Sequence, residues 1–479
     1  MRRLRHLIVC REMPPAPSGG IGTYVEHIAH LLAAAGETVH VIAQLWAGAE
    51  QPVEEREGGR LVIHRLPCED WRAARRGQPR FDPRTRPLNA LFRSDFPPRC
   101  FAWQAALLAE RLVESEGIDL IEAQEYEAPL WFFQLRRALG MGPARRPPCV
   151  VHLHSPTEAI ARHNEWGPDY PGAATAIRLE AESLRWADAL LCPSHFLARQ
   201  AGERYGLAGG AIRVIPLPLG DGAELERDPG NWERGTVCYV GRMERRKGIL
   251  EWLDAAAAVA PRHPEATFEF VGADVLDENL GTRIPRAARD RFRFRGGQPR
   301  AALRGFLAGA RIAVVPSRWE NFPNTCVEAM ASGLPVIATR QGGMAEMITD
   351  GESGWLVDTA DPEELAAALE RALATPPERL REMGRRAARD VARLCDNDRV
   401  LAAHLAFRAE VASRGAVRPL ALPDGDLAPL RDLAAGRIPD PPRPRLHLVR
   451  PLRKALRSPR RAATDAWKML GRYAGRIAP

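Results

Sequence analysis

Several stretches of this 479-residue chain have residue types and spacings that could do chemistry. The densest runs from Ser317 through Trp319, Glu320, Asn321, Phe322, Pro323, Asn324 and Thr325 to Glu328, behind the apolar run Ile312 to Val315. Proline is excluded from a helix interior, so the loop ends after Pro323 and a helix starts near Thr325. Thr325 followed three residues later by Glu328 has capping-box spacing. Two carboxylates, Glu320 and Glu328, therefore flank a helix N-terminus, where free N–H groups and the dipole attract anions. Arg242 and Lys247 stand on the turn Gly241 to Gly248, after the apolar run Thr236 to Val240. Cations on a glycine-bounded turn after a strand suit a diphosphate better than a carbonyl or an apolar ligand. Arg245 and Arg246, on the same turn, read as its solvated part.

Two further stretches lie nearer the N-terminus. Gly19-Gly20-Ile21-Gly22 follows a first strand (His6 to Cys10) and opens a helix with Val25, Ile28, Leu32 and Ala35 at helical spacing. A glycine loop between strand and helix lets backbone approach a diphosphate. A dinucleotide fingerprint is not met, because Val25 occupies the place of its third glycine and no acid ends the next strand. Nor is there a P-loop. Cys149 to His154 is a strand with His152 and His154 on one face, followed by Ser155-Pro156. Ligands of open parallel sheets collect at the carboxyl ends of strands, where His154 falls.

Glu320, seven residues, Glu328, then Ala329-Met330-Ala331-x-Gly333-x-Pro335-Val336 resembles the signature of retaining glycosyltransferase family 4 (glycosyl transferases group 1). The resemblance covers roughly residues 6–412 and is densest between Thr236 and Val357. It implies the GT-B architecture, an α/β fold of two doubly wound parallel-sheet (Rossmann-like) domains facing a central cleft. It implies donor binding by Gly19, Gly20, Arg242, Lys247, Phe322, Asn324, Thr325 and Glu328, with Glu328 on the ribose hydroxyls and the basic pair on the diphosphate. Catalytic roles near the reacting sugar fall to His154 and Glu320, and the Gly342-Gly343 turn lies near the donor. The implied reaction moves a sugar from a nucleotide-diphosphate-sugar to a hydroxyl, with front-face displacement and retained configuration. The donor is a substrate; no cofactor and no metal are expected. One departure stands out: Pro216-Leu217-Pro218-Leu219-Gly220-Asp221 replaces the family's Pro-Asn-Gly-Val-Asp.

The elements that must position these residues divide the chain into an acceptor-side domain (1–218), a nucleotide-sugar domain (219–396), a helix crossing back to the first domain (397–413) and a Pro/Arg-rich tail (414–479). The stretch Trp71 to Arg99 reads as a long basic loop, a candidate surface for an anionic acceptor such as a lipid-linked diphosphate or acidic glycan. The eight cysteines are scattered without a Cys-x-x-Cys and read as reduced, mostly buried thiols of a cytoplasmic protein. No run of eighteen apolar residues occurs, so no spanning helix is expected. The formal charge of +8 is local: residues 441–479 carry +10, leaving −2 for the rest. A near-neutral body argues against nucleic-acid binding. Ala463, Trp467, Leu470, Ala474 and Ile477 put an apolar face on a basic helix that could lie on an anionic membrane, the inner face being the place for a peripheral enzyme.

The implied place is polysaccharide or glycolipid synthesis at the cell surface, with a glycan or lipid-linked acceptor. An NDP-sugar epimerase of the same architecture and a non-catalytic nucleotide- or glycan-binding protein are the alternatives.

Overall fold

A computed structural model describes residues 2–16, 19–46, 48–49, 51–67, 86–92, 94–220, 228–276, 278–415 and 427–438, without the side chains of 86, 89, 300 and 301. Two sheets organise it. The first has eight strands in the order β3 (Val53–Arg56), β4 (Leu61–Leu66), β2 (Thr38–Gln44), β1 (Arg5–Val9), β5 (Leu120–Gln124), β6 (Cys149–His152), β7 (Ala189–Cys192), β8 (Ile212–Val214). All neighbours pair parallel except the edge hairpin β3–β4. The second has six parallel strands in the order β11 (Phe292–Gly296), β10 (Ala266–Val271), β9 (Gly235–Val240), β12 (Ile312–Val315), β13 (Val336–Thr339), β14 (Gly354–Val357). The fold is thus the α/β, two-sheet GT-B arrangement.

Strands buried on both faces read as continuous apolar runs, which is why β1, β9, β12 and β13 are visible in the sequence. In each sheet the strand order reverses beside the first strand of the series: at β1/β5 in one and β9/β12 in the other. Open α/β sheets bind ligands in the crevice at such a reversal. The loops leaving β1, β9 and β12 are the ones that carry the glycine, cation and carboxylate stretches; His154 leaves the neighbouring strand β6.

The helix Asn397–Arg414 packs on the first sheet. Val400, Phe407 and Val411 share an apolar cluster with Leu120, Val150, Leu191 and Ile215. Below them the fully buried Arg408 lies 2.6 Å from Glu122 of β5, which also accepts a hydrogen bond from Tyr24 at 2.9 Å. Asp396 caps this helix by accepting from the N–H of Arg399 at 2.8 Å, a structural role for the first of the chain's two Asp-x-Asp triplets.

Two sequence readings change. Within the supposed loop Trp71 to Arg99, Arg86–Phe92 is a helix and Arg99 begins another. The edge strand β3 and its neighbour β4 are additions to the elements read from sequence. The seven described cysteines are free and buried. No described helix is long and apolar enough to cross a membrane. Cys68, the cations Arg72 to Arg84, Asp424-Gly425-Asp426 and the basic tail 441–479 lie outside the described residues.

Candidate active site

The second sheet contributes a buried ionic knot. After β9 the chain turns through Arg245–Lys247 and reaches Gly248 in the left-handed region (φ 66°). A Cβ there would fall 1.7 Å from the carbonyl oxygen of Pro316, so glycine alone lets this turn close on the loop after β12. Glu320, 5% exposed, meets Arg246 Nη1 at 3.0 Å and is ion-paired with Lys247. Burial by itself would raise its carboxyl, but Arg246 and Lys247 outweigh that and hold it below the usual range. Burial pulls the Lys247 ammonium down, and Glu320 pulls it back up.

Arg246 corrects the expectation of a solvated turn. It is 4% exposed and bonded to Glu244 at 2.7 Å, besides its contact with Glu320. Three consecutive cations give no pattern that says which one faces inward; the turn geometry decides it. Arg245 also differs from the expectation, being ion-paired with Glu278 and Glu165. Arg242 is the accessible cation of the turn, its side chain 53% exposed and 3.3 Å from Glu244.

The helix Asn324–Ala331 starts one residue earlier than its spacing suggested. Pro323 occupies the N-cap and no side chain caps the helix. The capping box of Thr325 and Glu328 therefore does not form, because Thr325 already lies inside the first turn. Glu328 sits one turn in, partly exposed. Phe322 is buried in the apolar core with Cys326 and Met330.

The first sheet brings the remaining residues to the same place. Gly20 faces Asn324 across the cleft: the Asn324 side-chain amide donates to the carbonyl of Gly20 at 3.4 Å. His154, 6% exposed, lies just beyond β6, its N–H donating to Glu125 at 2.7 Å. Its carbonyl accepts from Asn321 at 2.9 Å, and Asn321 in turn accepts from Ser194 Oγ at 2.5 Å. The His154 ring packs 4.0 Å from His152 and 5.1 Å from Tyr24. Burial, then His152, holds this imidazole well below its ordinary pKa, so it is neutral near pH 7.

Further contacts tie the two sides together. Glu346 accepts from the N–H groups of His195 (3.0 Å) and Phe196 (2.7 Å), a carboxylate on the N-terminus of the helix His195–Tyr205. Asn164 accepts from the N–H of Arg246 at 2.8 Å. Gly342 and Gly343 leave room for this closure, since added Cβ atoms would lie 2.2 Å and 2.0 Å from the carbonyls of Glu320 and Asn321. Asn321, Asn164 and Glu346 were not singled out from the sequence. Asn321 sits inside the quoted stretch and Glu346 closes the Gly342-Gly343 turn, but Asn164 belongs to no periodic or spaced pattern.

Taken together, the cleft presents a glycine loop, two cations, a helix N-terminus and two carboxylates, with a neutral histidine opposite. Such a set can hold an anionic diphosphate and a polyhydroxyl group at once.

Comparisons with known proteins bear on the family and the fold. Residues 18–219 match the Glycosyltransferase Family 4 model, and residues 234–375 match that of glycosyl transferases group 1. The D-inositol 3-phosphate glycosyltransferase of Nocardiopsis dassonvillei is 29% identical over 383 residues, 75% of this chain and 82% of that protein. The glycogen synthase of Mycobacterium tuberculosis is 27% identical over 391 residues, 78% and 87% of the two chains. Among solved structures, the sucrose-phosphate synthase of Thermosynechococcus elongatus shares the fold with a TM-score of 0.66 at 23% identity, covering 86% of this chain and 100% of that one. On the matched models and the shared two-sheet fold, the chain is a glycosyltransferase and belongs to family 4, glycosyl transferases group 1.

Proposed function

We propose that the protein transfers a sugar from a nucleotide-diphosphate-sugar to a hydroxyl of a glycan or lipid-linked acceptor, with retention of anomeric configuration. The single observation that supports this most is the meeting of Gly20 with Asn324 at 3.4 Å, beside Lys247 and Glu320 on one side and His154 on the other. Arg242, Lys247 and the helix N-terminus at Asn324 stabilise the charge that grows on the departing diphosphate. Glu320 and His154 steady the sugar, and Glu328 receives the two ribose hydroxyls. The relatives are named D-inositol 3-phosphate glycosyltransferase, glycogen synthase and, in Agrobacterium fabrum, mannosylfructose-phosphate synthase.

Glu328→Ala tests this reading. Removing an ionised acceptor costs about 1.5–3 kcal/mol per charged hydrogen bond, so with both ribose hydroxyls released nucleoside diphosphate affinity falls about 100-fold or more. Unchanged affinity in calorimetric titration would remove Glu328 from the donor site.

Two further expectations belong to this reading. Activity survives EDTA, because two cationic side chains and a helix dipole supply the positive charge that a metal would; full loss on chelation, restored by Mg²⁺ or Mn²⁺, contradicts it. We also propose that the enzyme is a cytoplasmic one acting in cell-surface polysaccharide or glycolipid synthesis, held on the membrane through residues 441–479. Each Lys or Arg near an anionic surface adds about 1 kcal/mol of attraction, which salt screens. Full-length chain then sediments with anionic liposomes at low salt, is released at high salt, and loses this behaviour when cut after Asp440. Identical sedimentation of both chains rules the tail out.

A further inference from the structure

Besides its apolar contacts, the helix Asn397–Arg414 sends two polar side chains, His404 and Arg408, into the interior, both fully buried. Arg408 Nη2 pairs with Glu122 Oε2 at 2.6 Å, and Glu122 is buried too. Among the described residues, His404 Nδ1 and Nε2 and Arg408 Nε and Nη1 meet no hydrogen-bond partner. A buried ion pair left short of hydrogen bonds is seldom a net gain, and apolar side chains of similar volume often serve stability as well or better. Stability therefore does not account for this pair.

Its contacts lead to the cleft. Glu122 stands on β5, beside the strand-order reversal, and its other oxygen meets two rings. Tyr24 donates its hydroxyl to Glu122 Oε1 at 2.9 Å, and His152 Nδ1 of β6 lies 3.5 Å from the same atom. Burial alone would raise the Glu122 carboxyl, but Arg408, then His152, outweigh it and hold it well below the usual range. The two rings so held are the ones on which His154 rests. His152 lies 4.0 Å from the His154 ring, Tyr24 lies 5.1 Å from it, and these two meet each other edge-on at 4.7 Å. Glu125 and Asn321 fix the main chain of His154, which leaves its side-chain torsions to be set by this packing. Tyr24 also lies about one turn into the helix Gly20–Ala34, so the same carboxylate anchors the helix that the glycine loop opens.

We propose that Arg408 is a positioning residue for the transfer reaction: through Glu122 it fixes Tyr24 and His152, and through those two rings the direction of the His154 imidazole. The inference rests on the nucleotide-sugar reading above, in which His154 steadies the sugar. The contribution of the network is rigidity, since a misplacement of about 1 Å beside a reacting centre can cost about 10²-fold in rate. The helix Asn397–Arg414 is in this way a brace for the cleft as well as a cover for the first sheet.

The test uses the full chain with UDP-glucose, GDP-mannose and ADP-glucose, water serving as acceptor and single-turnover nucleotide release as readout. E122L/R408M replaces both charges together, so neither is left buried alone. On whichever donor the wild type cleaves, its rate falls about 10²-fold while nucleoside diphosphate affinity stays within about threefold, because the loss lies in orientation at the reacting centre. R408K keeps a cation facing Glu122 and stays within about tenfold of wild type. Y24F removes one hydroxyl and keeps the ring, so it reads the network even if the double variant does not fold; its rate falls about tenfold at unchanged affinity. On an H154Q background the same changes alter the rate by less than about twofold, since what they position is already gone. Wild-type rates in Y24F and in folded E122L/R408M, a loss of nucleotide affinity in step with the rate, or losses that add in full to that of H154Q would each overturn the proposal. A wild-type chain that neither binds nor cleaves any of the three donors would instead overturn the nucleotide-sugar reading, and this inference with it.

Discussion

Replacing Lys247 with alanine lowers the rate of glycosyl transfer by about 10²–10³-fold, the cost of removing one preorganised group that stabilises transition-state charge. The chain nevertheless stays folded. Glu320, which pairs with Lys247, keeps Arg246 at 3.0 Å, so no buried carboxylate is left without a partner. The folding cost is then that of thinning a pair rather than orphaning a charge, about 1 kcal/mol. Because charge accumulates on the diphosphate only as the glycosidic bond breaks, the loss falls on kcat more than on nucleotide affinity. Steady-state kinetics beside a thermal melt checks this; equal losses in rate and stability would make Lys247 a structural residue.

Arg246→Met has the opposite signature. The guanidinium is 4% exposed and serves Glu244 at 2.7 Å, Glu320 at 3.0 Å and the Trp319 carbonyl at 3.2 Å. Removing one member of a buried ionic group costs about 3–5 kcal/mol, because the partners stay buried with part of their charge unmatched. Lys247 and Arg242 remain near Glu320 and Glu244, which puts the expected loss at the low end, about 3 kcal/mol. For a domain of this size that lowers the melting temperature by about 6–12 °C. Nucleotide affinity in the folded fraction changes less than in Glu328→Ala. A melt within a degree or two of wild type would show that Arg246 is not holding the turn.

These two neighbouring cations show where sequence reasoning reaches and where it stops. Gly241 to Gly248 is recognisable as a cationic turn after a buried strand, and the parallel strands around it are apolar enough to read directly. Which of Arg245, Arg246 and Lys247 turns inward depends on the left-handed Gly248 and on the loop after β12, both set by tertiary packing. The same limit applies to Thr325 and Glu328. Their spacing is right for a capping box, yet Pro323 takes the N-cap and moves the helix start by one residue. A polar edge strand such as Val53–Arg56 lacks the apolar character that marks a strand, so β3 stays invisible. Asn321 and Glu346 act across long sequence separations, which no local pattern encodes.

The most direct test of the account is stereochemical. The protein is incubated with α-linked UDP-, GDP- and ADP-sugars, and the anomeric configuration of the first-formed product is read by NMR, with nucleotide release followed in parallel. The account predicts release of nucleoside diphosphate from one donor class and a product that is still α. A β product would contradict the retaining, front-face reaction built on Glu320, Lys247 and His154, and absence of release from every donor would contradict nucleotide-sugar transfer itself.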